Sequence, residues 1–107
     1  MNRFEAIGNL TKNIEVRTTQ SGKEVGTFGI GVKRTFKNQD GDYDSDFFNY
    51  IFWTPNEFYK NNLKKGTKVY VSARLNNRTY ENEKHEKRYI TDYIVEHIEI
   101  LSKLLII

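Results

Sequence analysis

Asp46-Phe47-Phe48-Asn49-Tyr50-Ile51-Phe52-Trp53-Thr54-Pro55-Asn56-Glu57, running on to Lys64-Lys65-Gly66, is the segment around which the rest of the chain is arranged. Its first part is an aromatic and β-branched run of the kind that favours a pleated strand. Alternation puts Phe47, Asn49, Ile51 and Trp53 on one face and Phe48, Tyr50 and Phe52 on the other. Thr54-Pro55-Asn56-Glu57 spells a capping box, with Thr54 as N-cap, Pro55 at the first helical position and Glu57 reaching back. Trp53 and Phe58 stand at the staple positions on either side of that cap. A short helix is expected to end near Lys64 and Lys65, which suit its negative end, with Gly66 taking the left-handed residue beyond. Both strand faces are aromatic, and a single-layer sheet has one core face. The surplus ring surface points to a partner.

The chain is 107 residues long, enough for one domain spanning residues 1–107 with a modest core. It has no Cys, which excludes disulfides, thiolate nucleophiles and Cys-based metal sites. It has no apolar run long enough to cross a membrane as a helix and no signal-peptide pattern at Met1-Asn2-Arg3-Phe4-Glu5. A soluble, cytoplasmic and nucleoid-associated protein is expected. Lys plus Arg number 17 against 14 Asp plus Glu, and the acids gather at Asp40, Asp42, Asp44 and Asp46. The remaining surface is therefore more basic than the net charge of +3 suggests. Aromatic residues make up 14% of a hydrophilic chain, and base plus aromatic is the combination that grips unpaired nucleic acid.

In chain order, Arg3 to Leu10 reads as a strand with Gly8 marking a bulge or bend. Ile14 to Arg17 resumes extended structure, and Ser21-Gly22 turns the chain. Val25 to Thr35 is the second strand, with Phe28, Ile30 and Val32 inward and Gly26, Gly29 and Gly31 leaving room beside them. Phe36 to Ser45 reads as a polar loop turning at Asp40-Gly41. Its spaced aspartates lack the glycine and closing glutamate of a calcium loop, so no metal is expected there. Lys68 to Arg78 is a strand with Val69, Val71, Ala73 and Leu75 inward, Tyr80 to Lys87 a charged loop, and Arg88 to Leu101 the last strand. Leu104 to Ile107 either extends that strand against a neighbouring subunit or offers an apolar docking patch. Five extended segments with one short helix between the third and fourth is the element order of an all-β, five-stranded OB-fold barrel.

Gly8-Asn9-Leu10-Thr11-Lys12, Glu15-Val16-Arg17, Ser21-Gly22 and Val25-Gly26-Thr27-Phe28 come in a telling order. Lys33-Arg34-Thr35-Phe36, Asp46-Phe47, Leu63-Lys64-Lys65-Gly66 and Arg78-Thr79-Tyr80-Glu81-Asn82 continue it. Together they resemble the bacterial and phage single-stranded DNA-binding proteins over nearly the whole chain. The resemblance implies a homotetramer, with a dimer as second choice, that coats single-stranded DNA in replication, recombination and repair. It implies that Phe36, Phe47, Trp53 and Tyr80 stack on bases and that Arg3, Arg17, Arg34 and Arg78 face phosphates. An aromatic ring holds any base by its π-face, at about 1–3 kcal/mol per base. The chain departs from that family at Asn76, where a second Arg is common. It also has no acidic run after Glu99, so partners that read an acidic tip are not expected, and either a fragment or a tail-less phage, plasmid or accessory form fits. On their own, Phe47 and Trp53 in a strand are more often core than ligand platform, and surface arginines usually only solvate a chain.

Two neighbouring readings are a tail-less primosomal accessory protein of the same fold and an RNA-binding OB-fold module. Self-association is expected to cover the face of Phe48, Tyr50 and Phe52. An enzyme is not expected. His85 and His97 stand apart, and Asp92 with Glu96 has no nucleophile, metal-ligand spacing or phosphate-cradling loop beside it. No cofactor is implied.

Overall fold

A computed structural model describes residues 1–102 of the chain. The elements are β1 (Phe4–Leu10), β2 (Glu15–Thr18), β3 (Glu24–Lys37), β4 (Tyr43–Trp53), α1 (Glu57–Asn62), β5 (Lys68–Glu81) and β6 (Lys87–Ser102). β1 and β2 are two halves of one bent strand along the same edge of β3. Leu10 of β1 faces Ile30, and Glu15 of β2 faces Thr27. Counted so, five strands close a ring: β1 pairs with β5, β5 with β6, β6 with β4, β4 with β3 and β3 with β1. All pairings are antiparallel except β4–β6, which meet in parallel at Tyr50↔Tyr93 and Ile51↔Ile94. The helix lies between the third and fourth barrel strands, the OB-fold order. Residues 104–107 lie outside the described part.

The inward alternation is as the sequence implies for Phe28 and Ile30 on β3 and for Val69, Val71 and Ala73 on β5, all buried, but Leu75, expected inward, is 36% exposed where β5 runs on past the core. On β4 it corrects one expectation. Phe48, Tyr50 and Phe52 are the core face rather than a surplus one. Phe28 stacks on Tyr50 at 5.3 Å between ring centroids. Phe48 meets Phe4 and Tyr93 edge to face, and the Phe4 and Tyr93 rings lie tilted against each other beside them. The closed barrel takes an entire aromatic face, so that face offers no argument for self-association. The exposed rings are those on the opposite face.

Tyr50 carries the core's one anomaly. Among the described residues its buried hydroxyl finds no hydrogen-bond partner, and burial pushes its pKa well up. A buried, unsatisfied hydroxyl costs about 1–3 kcal/mol. Tyr50→Phe is therefore expected to keep the stack on Phe28 and raise stability by about 1 kcal/mol. A urea titration with a lowered midpoint would show that the hydroxyl has a partner after all.

The helix starts later than the capping box suggests. Thr54 donates its backbone N–H to the Glu24 carbonyl at 2.9 Å and sits at a left-handed φ of 47°, so it forms the bend just past β4 rather than the helix cap. Asn56 is the N-cap, its side chain accepting from Tyr59 N–H at 3.0 Å. The Trp53–Phe58 staple loses its basis with the shift. The helix seats Leu63 in the core, and Tyr59 donates its hydroxyl to the Ile98 carbonyl at 3.0 Å. Lys60 pins it to the start of β3 through Glu24 at 2.9 Å. Gly66 has the expected left-handed φ, 90°, though in the turn after the helix rather than next to its cap.

β3 with β4, and β5 with β6, run on past the barrel as two arms. The segments read as loops are thus shorter than expected: β3 holds Phe36, and β5 holds Tyr80. Each tip is closed by an asparagine in the same way. Asn38 Oδ1 accepts from the N–H groups of Asp40 and Asp42, and Asn82 Oδ1 from those of Lys84 and Glu86. Gly41 and His85 fill the equivalent left-handed positions, at φ 82° and 60°.

Candidate nucleic-acid interface

The outer face of β4 is built on glycine. Phe47 pairs across the sheet with Gly31, and Asn49 with Gly29. A Cβ at Gly31 would stand 3.2 Å from the Phe47 ring. With no side chain there, the ring lies against the β3 backbone with its far face open, 68% exposed. Trp53, 46% exposed, is six residues on and on the same face, roughly 20 Å away at strand rise. Its row continues through Val25 to Arg17, which stand opposite one another across β3 and β2. One sheet face thus carries Phe47, Trp53 and Arg17. A depression of about 390 Å³ next to Arg17 is lined by Glu15, Val16 and Thr27. A cleft of about 640 Å³ between β1 and β3 is bordered by Asn9, Lys33, Ser45 and Lys68.

The remaining expected residues stand on the arms or at the edge. Phe36 is 66% exposed on the β3–β4 arm and Tyr80 46% exposed on the β5–β6 arm, across from Arg88. Both suit a stacking role in being open to solvent. Arg34 and Arg78 are not free cations. Arg34 reaches Asp46 at 2.8 Å, and Arg78 Nε donates to Asp92 at 2.8 Å. The Arg34 hydrogen bond holds the Asp46 carboxyl below the usual carboxylate range, and Asp46 holds the guanidinium above its own. Arg3 lies just ahead of β1, its guanidinium 3.8 Å from Glu5. Asn2 fixes that end of the chain by exchanging two hydrogen bonds with the Leu75 backbone.

Sequence reasoning missed two exposed rings, Tyr43 and Tyr89. Tyr43 shares the Phe47 face by simple alternation, which becomes visible only once β4 is extended back to residue 43. Tyr89 pairs with Thr79 on the face of the arm opposite Tyr80. Among the described residues no His, Asp and Glu gather as a metal site, and no helix is long and apolar enough to cross a membrane.

Residues 1–101 match the profile of the Single-strand binding protein family. A single-stranded DNA-binding protein of Enterococcus faecalis is 38% identical over 103 residues, covering 95% of this chain and 55% of the relative. Single-stranded DNA-binding protein 1 of Streptococcus pyogenes is 38% identical over 104 residues, covering 96% and 80%. Single-stranded DNA-binding protein 3 of Streptococcus agalactiae is 36% identical over 103 residues, covering 95% and 75%. The chain thus spans little more than half the length of the first of these relatives.

Proposed function

The chain belongs to the single-strand binding protein family, and from that premise we propose that it binds and protects single-stranded DNA without reading its sequence. The observation that carries this is the set of open rings at Phe36, Phe47, Trp53 and Tyr80, with Arg17 in the Trp53 row. Stacking needs an unpaired base, so a closed duplex gains nothing from these rings. Arg17 is ready for a phosphate, and Arg3 is only loosely engaged by Glu5. Arg34 and Arg78 exchange their aspartates for phosphate as the strand arrives. The proposal includes a non-catalytic role in replication, recombination and repair, in the cytoplasm at the nucleoid. A homotetramer belongs to it too, on the family likeness alone, and sedimentation at micromolar concentration tests that part.

An anisotropy titration against oligo-dT, duplex DNA and single-stranded RNA tests the central reading. Oligo-dT is expected to bind far more tightly than duplex, with quenching of Trp53, the only tryptophan. Affinity should fall with salt at a log–log slope of about 0.7 per phosphate contacted. Equal affinity for duplex overturns the reading, and tighter binding of RNA redirects it to an RNA-binding module.

The aspartate partners give a second expected result. Asp46→Asn removes a negative charge beside the strand and frees Arg34. Binding of oligo-dT should tighten several-fold at low salt with the slope little changed, because Arg34 meets the same phosphate in both proteins, whereas Arg34→Gln should flatten the slope by about 0.7. A slope unchanged by Arg34→Gln would mean that Arg34 serves the hairpin and not the DNA.

A further inference from the structure

The β3–β4 arm carries a group of side chains that the stacking and phosphate residues above do not include. Tyr43, Ser45 and Phe47 alternate along β4 on the same face. Opposite them β3 is irregular. Lys33 pairs with Ser45 and Lys37 with Tyr43, so four residues of β3 span two of β4. That excess brings two lysines to bear on one ring. Lys33 Nζ stands 4.7 Å from the Tyr43 ring centroid and Lys37 Nζ 5.8 Å. Both distances are within the reach of a cation–π contact. Tyr43 remains 44% exposed. Among the described residues neither lysine has a carboxylate partner, unlike Arg34 and Arg78.

We propose that Tyr43 with Lys33 and Lys37 is an additional station for the single strand, where the ring stacks on a base and the two ammonium groups hold the flanking phosphates. An exposed cation–π contact is weak, so a lysine trades the ring for a phosphate at little cost. The exchange uncovers the ring as it fills the phosphate sites, and base and backbone are gripped together. The face is continuous with Phe47, four residues along the same strand, so a bound strand passes from one ring to the other. The plain alternative is a surface cluster that only stiffens the hairpin. The inference rests on the DNA-binding reading above.

The test uses the full chain with labelled oligo-dT of several lengths, from a few nucleotides upward. Tyr43→Phe is expected to bind like the parent. Tyr43→Leu should lose about tenfold in affinity for long oligonucleotides. Quenching of Trp53 by the shortest ones should be unaffected. Lys33→Gln with Lys37→Gln should lower the salt slope by about 0.7 for each ammonium removed from a phosphate. Unchanged affinity of Tyr43→Leu at every length, or a lowered melting temperature with unchanged affinity and slope, overturns the station and leaves the DNA-binding reading standing. If the parent shows no preference for single strands, both fail, so the two failures are distinguishable.

Discussion

Phe47→Ala combined with Trp53→Ala is expected to weaken binding of oligo-dT by about two orders of magnitude or more, since each ring is worth about 1–3 kcal/mol per stacked base. The fold should survive. Both side chains stand on the outer face of β4, and the core contacts of that strand come from Phe48, Tyr50 and Phe52. The measurement is a pair: anisotropy for affinity and thermal melting for stability. A melting temperature close to the parent with a hundredfold loss of affinity is the signature of platforms. A large fall in melting temperature with affinity retained would return both rings to a structural role. The single variants should act nearly independently, because the residues are too far apart along the strand to share a base.

The second large effect is expected at Gly8. A Cβ there would stand 2.5 Å from the Gly31 carbonyl oxygen and 3.1 Å from Val32 Cγ2. The nearer neighbour is backbone, and it lies where β1 closes onto β3 through Asn9↔Gly31 and Leu10↔Ile30. Gly8→Ala must part these strands or distort both. A loss of about 3 kcal/mol is expected, at the upper end of overpacking costs. For a chain of this size that lowers the melting temperature by roughly 15 °C. Gly22→Ala is the informative comparison. Nothing lies within 4 Å of a Cβ there, so only its φ of 88° is strained, and about 1 kcal/mol is expected. A Gly8→Ala protein melting within two or three degrees of the parent would disprove the close approach.

Much of this was legible in the sequence because alternation is a local rule. The two faces of residues 47–53 and the buried row Val69, Val71 and Ala73 follow from residue order alone, whereas Gly8, read as a bulge or bend, pairs in regular register with Val69 and is needed for the close approach of Gly31, a contact that residue order does not reveal. What failed needs contacts between distant residues. The capping box at Thr54 is locally sound, yet the Glu24 carbonyl, thirty residues earlier, claims its N–H, and Asn56 caps instead. The aromatic face of β4 looked too large for a small barrel because nothing local tells how much ring surface a closed ring can hold. Arg34 and Arg78 read as free cations because their partners, Asp46 and Asp92, come from the neighbouring strand through a register that charge order does not reveal. The arms exceeded their expected lengths for a related reason: polar residues in a hairpin look like loop until the pairing is known. Tyr43 was lost with them.

The closing of the ring by β6 has a consequence for the order in which the barrel can be made. Without β6, the other strands form a sheet whose free edges are β4 and β5. β6 pairs with β5 along its length and reaches β4 only at Tyr50↔Tyr93 and Ile51↔Ile94. The hairpin with β5 is local and quick to form, whereas the parallel seam joins residues more than forty positions apart and carries a larger loop-closure cost. A chain emerging from the ribosome therefore holds its aromatic core open to water until residue 94 is free of the exit tunnel. With only two paired positions, the seam is a narrow join, and its amides are expected to exchange ahead of those in the barrel part of the β5–β6 hairpin, which a hydrogen-exchange measurement checks.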